Sequence, residues 1–136
     1  MPNSRRTLAL AAFLLATACG GGDLVAPTLS AADTYTLHSF NGAALPALIS
    51  ADAQSQVSLL DDSFAFYDGG SYLERGHLRT MKDGVETLQT LESPGTYSRD
   101  GSSVTLISSS GTINGSFTDG QTLTIVAGTN TLVFRR

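Results

Sequence analysis

Thr112-Ile113-Asn114-Gly115-Ser116-Phe117, then Gln121-Thr122-Leu123-Thr124-Ile125-Val126, then Thr131-Leu132-Val133-Phe134 alternate polar and apolar side chains with a period of two. Ile113 and Phe117 flank Gly115 on one face; Leu123 shares a face with Ile125, and Leu132 with Phe134. Thr112, Asn114, Ser116, Thr122 and Thr124 take the other face. Successive side chains of a strand point to opposite sides, so this period predicts half-buried antiparallel strands. Val104-Thr105-Leu106-Ile107 adds one more, and Gly111, Asp119-Gly120 and Gly128-Thr129-Asn130 supply the turns between them.

Working outward toward the N-terminus, the same vocabulary recurs. Thr96-Tyr97-Ser98 is a short strand between a break at Pro94-Gly95 and the Asp100-Gly101 turn. Ser71 to Lys82 is the longest strand expected, with Gly76 marking a bulge or bend. Asp83-Gly84 turns it back into Val85 to Leu91, and Asp68-Gly69-Gly70 joins it to what precedes. Val57 to Leu60 and Ser63 to Tyr67 are two short strands or one bent strand around Asp61-Asp62, with a polar loop, Ala51 to Gln56, before them. Ala43 to Ile49, containing Pro46, is read as a connection across a barrel mouth. Tyr35 to Phe40 is the first strand, closed by Asn41-Gly42.

No stretch after residue 32 has a helical period. Eight to ten short strands joined by tight hairpins would leave two edges open to aggregation, and closure removes both. The expected fold is therefore all-β, a small antiparallel up-and-down barrel, with a two-sheet sandwich as the alternative. Strands shorter than the roughly 9–11 residues of membrane barrels, without aromatic girdles, argue against a membrane-embedded barrel.

The N-terminus reads differently. Arg5 and Arg6 precede Thr7 to Ala18, an uncharged and mostly apolar run of twelve residues. That is the layout of a secretory signal, and it is shorter than the roughly 20 residues of a spanning helix. Ala16-Thr17-Ala18-Cys19, ending in the single cysteine of the chain, resembles the lipobox of bacterial lipoproteins. The resemblance implies cleavage before Cys19 and acylation of its thiol and new amine, with the acyl chains as the membrane anchor. Gly20 after the cysteine is similar to outer-membrane sorting patterns and implies delivery there. The expected organisation is a signal peptide over 1–18, lipidated Cys19 and a flexible Gly-rich tether over 19–32, and a barrel over 33–136.

Composition narrows the partners. Twelve acidic residues stand against eight basic ones, two of which, Arg5 and Arg6, lie in the signal. Cleavage takes the net charge from −4 to −6, and no basic cluster offers a footprint for nucleic acid. With one cysteine no internal disulfide can form, so stability must come from an apolar core and strand pairing. The histidines, His38 and His77, lie on different expected strands and do not make a ligand set. Ser108-Ser109-Ser110 lacks a paired base and reads as a polar turn. Asp61 and Asp62, as neighbours on a strand, would face opposite ways and cannot share acid–base work; a solvated loop is their expected place. Neither catalytic residues, a metal nor a cofactor is expected, and the chain is not read as an enzyme.

Tyr35-Thr36-Leu37-His38-Ser39-Phe40-Asn41-Gly42 with Leu45-Pro46, then Gly95-Thr96-Tyr97, Val104-Thr105-Leu106 and Leu132-Val133-Phe134-Arg135-Arg136, resemble the small lipocalin-like domains of bacterial lipoproteins. The resemblance implies a calyx that holds a small apolar or amphipathic molecule. Tyr35, Leu37, Phe64, Phe66, Tyr72 and Tyr97 are the candidate lumen residues, with Arg79 as a polar anchor. The alternative is that these side chains fill the interior, leaving an accessory lipoprotein that works through protein contacts.

Overall fold

The computed structural model describes residues 32–136, so the expected signal, Cys19 and the tether up to residue 31 lie outside the described residues. Nine antiparallel strands follow in chain order: β1 Asp33–Phe40, β2 Ala47–Ala51, β3 Ser55–Tyr67, β4 Ser71–Lys82, β5 Val85–Asp100, β6 Ser103–Ser108, β7 Gly111–Thr118, β8 Thr122–Ala127 and β9 Asn130–Arg135. From β3 to β9 each strand pairs with the next. β1 pairs with β9 on one side and with the far end of β3 on the other, from Asp33↔Phe66 to Thr36↔Ser63. Eight strands thus close into a barrel, and β2 is an extra strand held only by the near end of β3.

The period-two reading of the C-terminal third fixes which side chains fill the interior. Leu106, Leu123 and Phe134 are wholly buried, Val104, Phe117 and Ile125 nearly so, and Ile113 and Leu132 pack against them. Gly115 is small because a Cβ there would come within 2.9 Å of the Thr124 carbonyl and 3.2 Å of Val104. From the other half come Tyr35, Leu37, Leu59, Phe64, Phe66 and Tyr72. The buried side chains are mainly apolar, and Ile107 on β6 and Val126 on β8 are the large apolar side chains that the closed part leaves exposed.

Three expectations about the middle of the chain are corrected. Ala43 to Ile49 is not wholly a connection: from Ala47 it is strand β2, because Ala47 pairs with Leu59 and buries against it. The polar loop shrinks to Asp52, Ala53 and Gln54, where the Asp52 carboxylate accepts the N–H groups of Gln54 and Ser55. The irregularity expected at Gly76 falls instead on the facing strand at Leu60, between Leu59 and Asp61, while Gly76 keeps regular register; Val57 to Leu60 and Ser63 to Tyr67 are one strand, the second of the two alternatives.

Pro94-Gly95 does not break the chain either. β5 runs through it for 16 residues and is the longest strand, ahead of the 12 of β4. The reason lies in which way Pro94 faces. Tyr97 donates its N–H toward β4, to the Gly70 carbonyl at 2.7 Å. Alternation along the strand turns the nitrogen of Pro94 the other way, past Ser108, where β6 has already ended. A missing donor costs no ladder bond there.

Candidate functional site

The expected lumen residues are found in the packed core. Tyr35, Leu37, Phe64, Phe66 and Tyr72 are all buried, and Tyr97 packs against them. Phe64 packs edge-on against Phe134 at 5.0 Å and Phe66 against Tyr97 at 4.9 Å between centroids, while Phe64 and Phe66 stack at 6.1 Å. The Tyr35 hydroxyl donates to the Gly120 carbonyl at 2.9 Å and the Tyr97 hydroxyl to the Tyr67 carbonyl at 3.2 Å. Arg79 is not among them. It alternates with Leu78, which packs against the core, and its register partners are Ser58 and Leu88 on the opposite face. There its Nε is buried without a hydrogen-bond partner.

Space opens lower down. β6 pairs with β5 only from Gly95 to Asp100, so β5 leaves the barrel below Gly95 and carries β4, the near half of β3 and β2 with it as a four-stranded arm. At the root of this arm lies a pocket of about 290 Å³, walled by Leu59, Gly76, Leu91 and Ser93 on the arm and by Ser108, Ser110 and Ile113 of the β6–β7 hairpin. Asp62 and Glu74 also line it. None of the expected lumen residues does.

Asp62 and Asp61 do face opposite ways, but in a strand and not in a solvated loop. The Asp61 carboxylate lies outside, 2.6 Å from His77 Nδ1. Asp62 points inward and is only 6% exposed. Its Oδ1 accepts the Ser63 N–H at 2.8 Å, and Gly76 is opposite because a Cβ there would approach that same oxygen to 3.2 Å. Burial, reinforced by Glu74, pushes the Asp62 carboxyl up to about 8, and burial also raises Glu74. At neutral pH Asp62 is thus largely a neutral hydrogen-bonding group. The sequence contained this signal: Asp62 stands two residues before inward-facing Phe64 and Glu74 two after inward-facing Tyr72. Among the described residues no group of three or more His, Cys, Asp or Glu side chains is placed to hold a metal ion.

The arm itself is the other unusual surface. Val85 and Leu88 on β5 are each 65% exposed and Leu91 is partly so, while Leu48 and Ile49 are exposed on β2, at the opposite edge of the arm. On its outer face Arg75 Nη2 lies 2.6 Å from Glu92 Oε1. The chain matches no protein-family model, and no curated protein matches it.

Proposed function

We propose that this is a lipid-anchored protein of the bacterial cell envelope, related in form to lipocalin-like domains, which acts through protein contacts made by its β2–β5 arm. On this reading the export signal and acylated Cys19 hold the chain at the membrane, in the outer membrane where there is one. A nucleic-acid partner is not part of it. The observation that carries the choice over a carrier is the filled interior. The aromatic side chains that a ligand would have to displace are buried against one another, whereas the arm presents Leu48, Ile49, Val85 and Leu88 to solvent.

Mass spectrometry of the protein extracted from native membranes tests both halves. The expected species begins at Cys19, carries acyl chains and releases no further small molecule on denaturation. An apolar molecule released in one-to-one amount overturns the filled-barrel reading. Normal processing while the lipoprotein-specific peptidase is blocked overturns the anchor.

A second, narrower reading rests on the pocket at the arm's root. Its volume of about 290 Å³ lies at the lower limit of small-molecule sites, and its mostly apolar walls, Leu59, Leu91 and Ile113, with a protonated carboxyl and serine hydroxyls among them, suit a small amphipathic ligand.

A further inference from the structure

Resting on the arm as the working surface, the geometry points to one occupant for its open edge: a second copy of this chain, joined β5 to β5 in antiparallel register about Leu88. Among the described residues, β5 has no strand neighbour from Val85 to Ser93 on the side away from β4. Natural sheets blunt such edges with shortness, bulges, lysine or proline. β2, the other edge of the arm, is five residues long and irregular between Leu48 and Ser50. Of these devices the β5 segment lacks bulges, lysine and, before Pro94, proline, and keeps regular register with β4 throughout; its only edge charges are Glu86 and Glu92, the latter paired with Arg75.

The free backbone groups belong to Glu86, Leu88, Thr90 and Glu92. Tyr97 faces β4, so alternation turns the even-numbered residues outward. A two-fold axis must pair residues of the same face, which limits the registers. Centred on Leu88, it sets Leu88 against Leu88, Val85 against Leu91, Glu86 against Thr90 and Thr87 against Gln89. Apolar meets apolar on both faces, and about six backbone hydrogen bonds form. Centred on Gln89, it sets Glu86 against Glu92, two like charges. Centred on Thr90, it brings Pro94 into the ladder and Leu88 opposite Glu92. In the Leu88 register the nearest acid to Glu86 is Glu92 on the diagonal, already neutralised by Arg75 at 2.6 Å. Such an isologous contact closes on itself and leaves no further β5 edge.

The test is cross-linking of the full chain in its membrane under mild oxidation, with the unsubstituted chain as background for Cys19. Leu88→Cys is expected to give a disulfide-linked dimer in high yield, since paired α-carbons in this register are about 5.5 Å apart. Val85→Cys alone is expected to stay at background, because the two copies of that residue are about 20 Å apart along the strands. Val85→Cys mixed with Leu91→Cys restores the dimer. Leu88→Pro, which removes an outward N–H as Pro94 does without touching the β4 ladder, is expected to lower non-covalent self-association at least tenfold; Leu88→Lys does the same should the proline variant fail to fold. Background cross-linking from Leu88→Cys overturns the proposal, as does equal cross-linking from Val85→Cys or a dimer untouched by both Leu88 substitutions. Failure here, with no ligand released in the mass spectrum, leaves a partner of another sequence for the arm; a released ligand removes the reading beneath it.

Discussion

The upper barrel and the arm are made from the same strands, yet they differ in what stabilises them. Above Gly95, β5 lies between two strands and its inward side chain Tyr97 packs on Phe66. Below it the same strand has one neighbour and carries Val85 and Leu88 in solvent. Burial is the difference. In the closed part most large apolar side chains join one aromatic cluster, with Ile107 and Val126 left exposed; in the arm Leu59 and Leu78 reach that cluster, and hydrogen bonds to a neighbouring strand hold the rest in shape. The contrast predicts a molecule whose stability is concentrated in one half and whose interactions are concentrated in the other.

The sharpest way to break that contrast is at Phe64, which touches Phe66, Tyr72 and Phe134. Phe64→Ala is expected to cost about 3–5 kcal/mol in urea unfolding, the range for a fully buried aromatic. A loss near 1 kcal/mol would mean that the interior collapses easily and is not the tightly filled body described above. Gly95→Ala comes next. A Cβ there would lie 2.3 Å from the Ile107 carbonyl and 2.5 Å from the Tyr72 ring, both closer than real contacts allow. Relief must come from Tyr72 or from the β5–β6 pairing, at about 3 kcal/mol. A Tm within a degree of the unsubstituted chain would show that the junction between barrel and arm is looser than drawn.

How much of this was legible beforehand follows the same division. In the C-terminal third, period two alone placed Phe117, Leu123, Ile125 and Phe134 inside, because strands buried on one face carry their fold in their alternation. The middle was harder. Pro94-Gly95 looks like a break until it is known which way the proline nitrogen faces, and that depends on β6 ending at Ser108, a tertiary fact. Arg79 is expected in the lumen from its charge, yet Leu78 is the inward residue, and counting by twos from Tyr72 to Leu78 places Arg79 on the other face. Asp62 was legible in principle by the same count, but acidic side chains are so commonly solvated that composition pointed to a loop. The expected N-terminal signal lies outside the described residues and rests on its sequence pattern alone.

The pocket sharpens the comparison through pH. Asp62 has a folded value of about 8 against an ordinary 3.8, so between those values the folded state holds a proton that the unfolded chain releases. Stability then falls as pH rises, by up to about 1.4 kcal/mol per unit, and is greatest below about pH 4 as far as this group is concerned. Glu74, also raised, acts in the same direction; Asp61, outside beside His77, is a minor contributor that raises Asp62. Thermal unfolding followed from pH 5 to 8 is expected to show a falling Tm, and Asp62→Asn, which keeps the acceptor for the Ser63 N–H, is expected to remove most of the slope. An unchanged slope in that variant would place the titration elsewhere.

The smallest expected effect is the most informative about the arm. Leu88→Thr exchanges a 65% exposed apolar residue for one that suits a strand equally well and has no core contact to lose. Its cost to unfolding of the isolated chain should lie within about 0.5 kcal/mol, an order of magnitude below Phe64→Ala. If β5 pairs with a second copy, the same substitution acts where the copies meet, so the midpoint of unfolding should depend on protein concentration in the unsubstituted chain and cease to do so in the variant. A loss of 2 kcal/mol that is independent of concentration would mean that Leu88 is buried within its own chain, and the division between a stabilising barrel and an interacting arm would no longer hold.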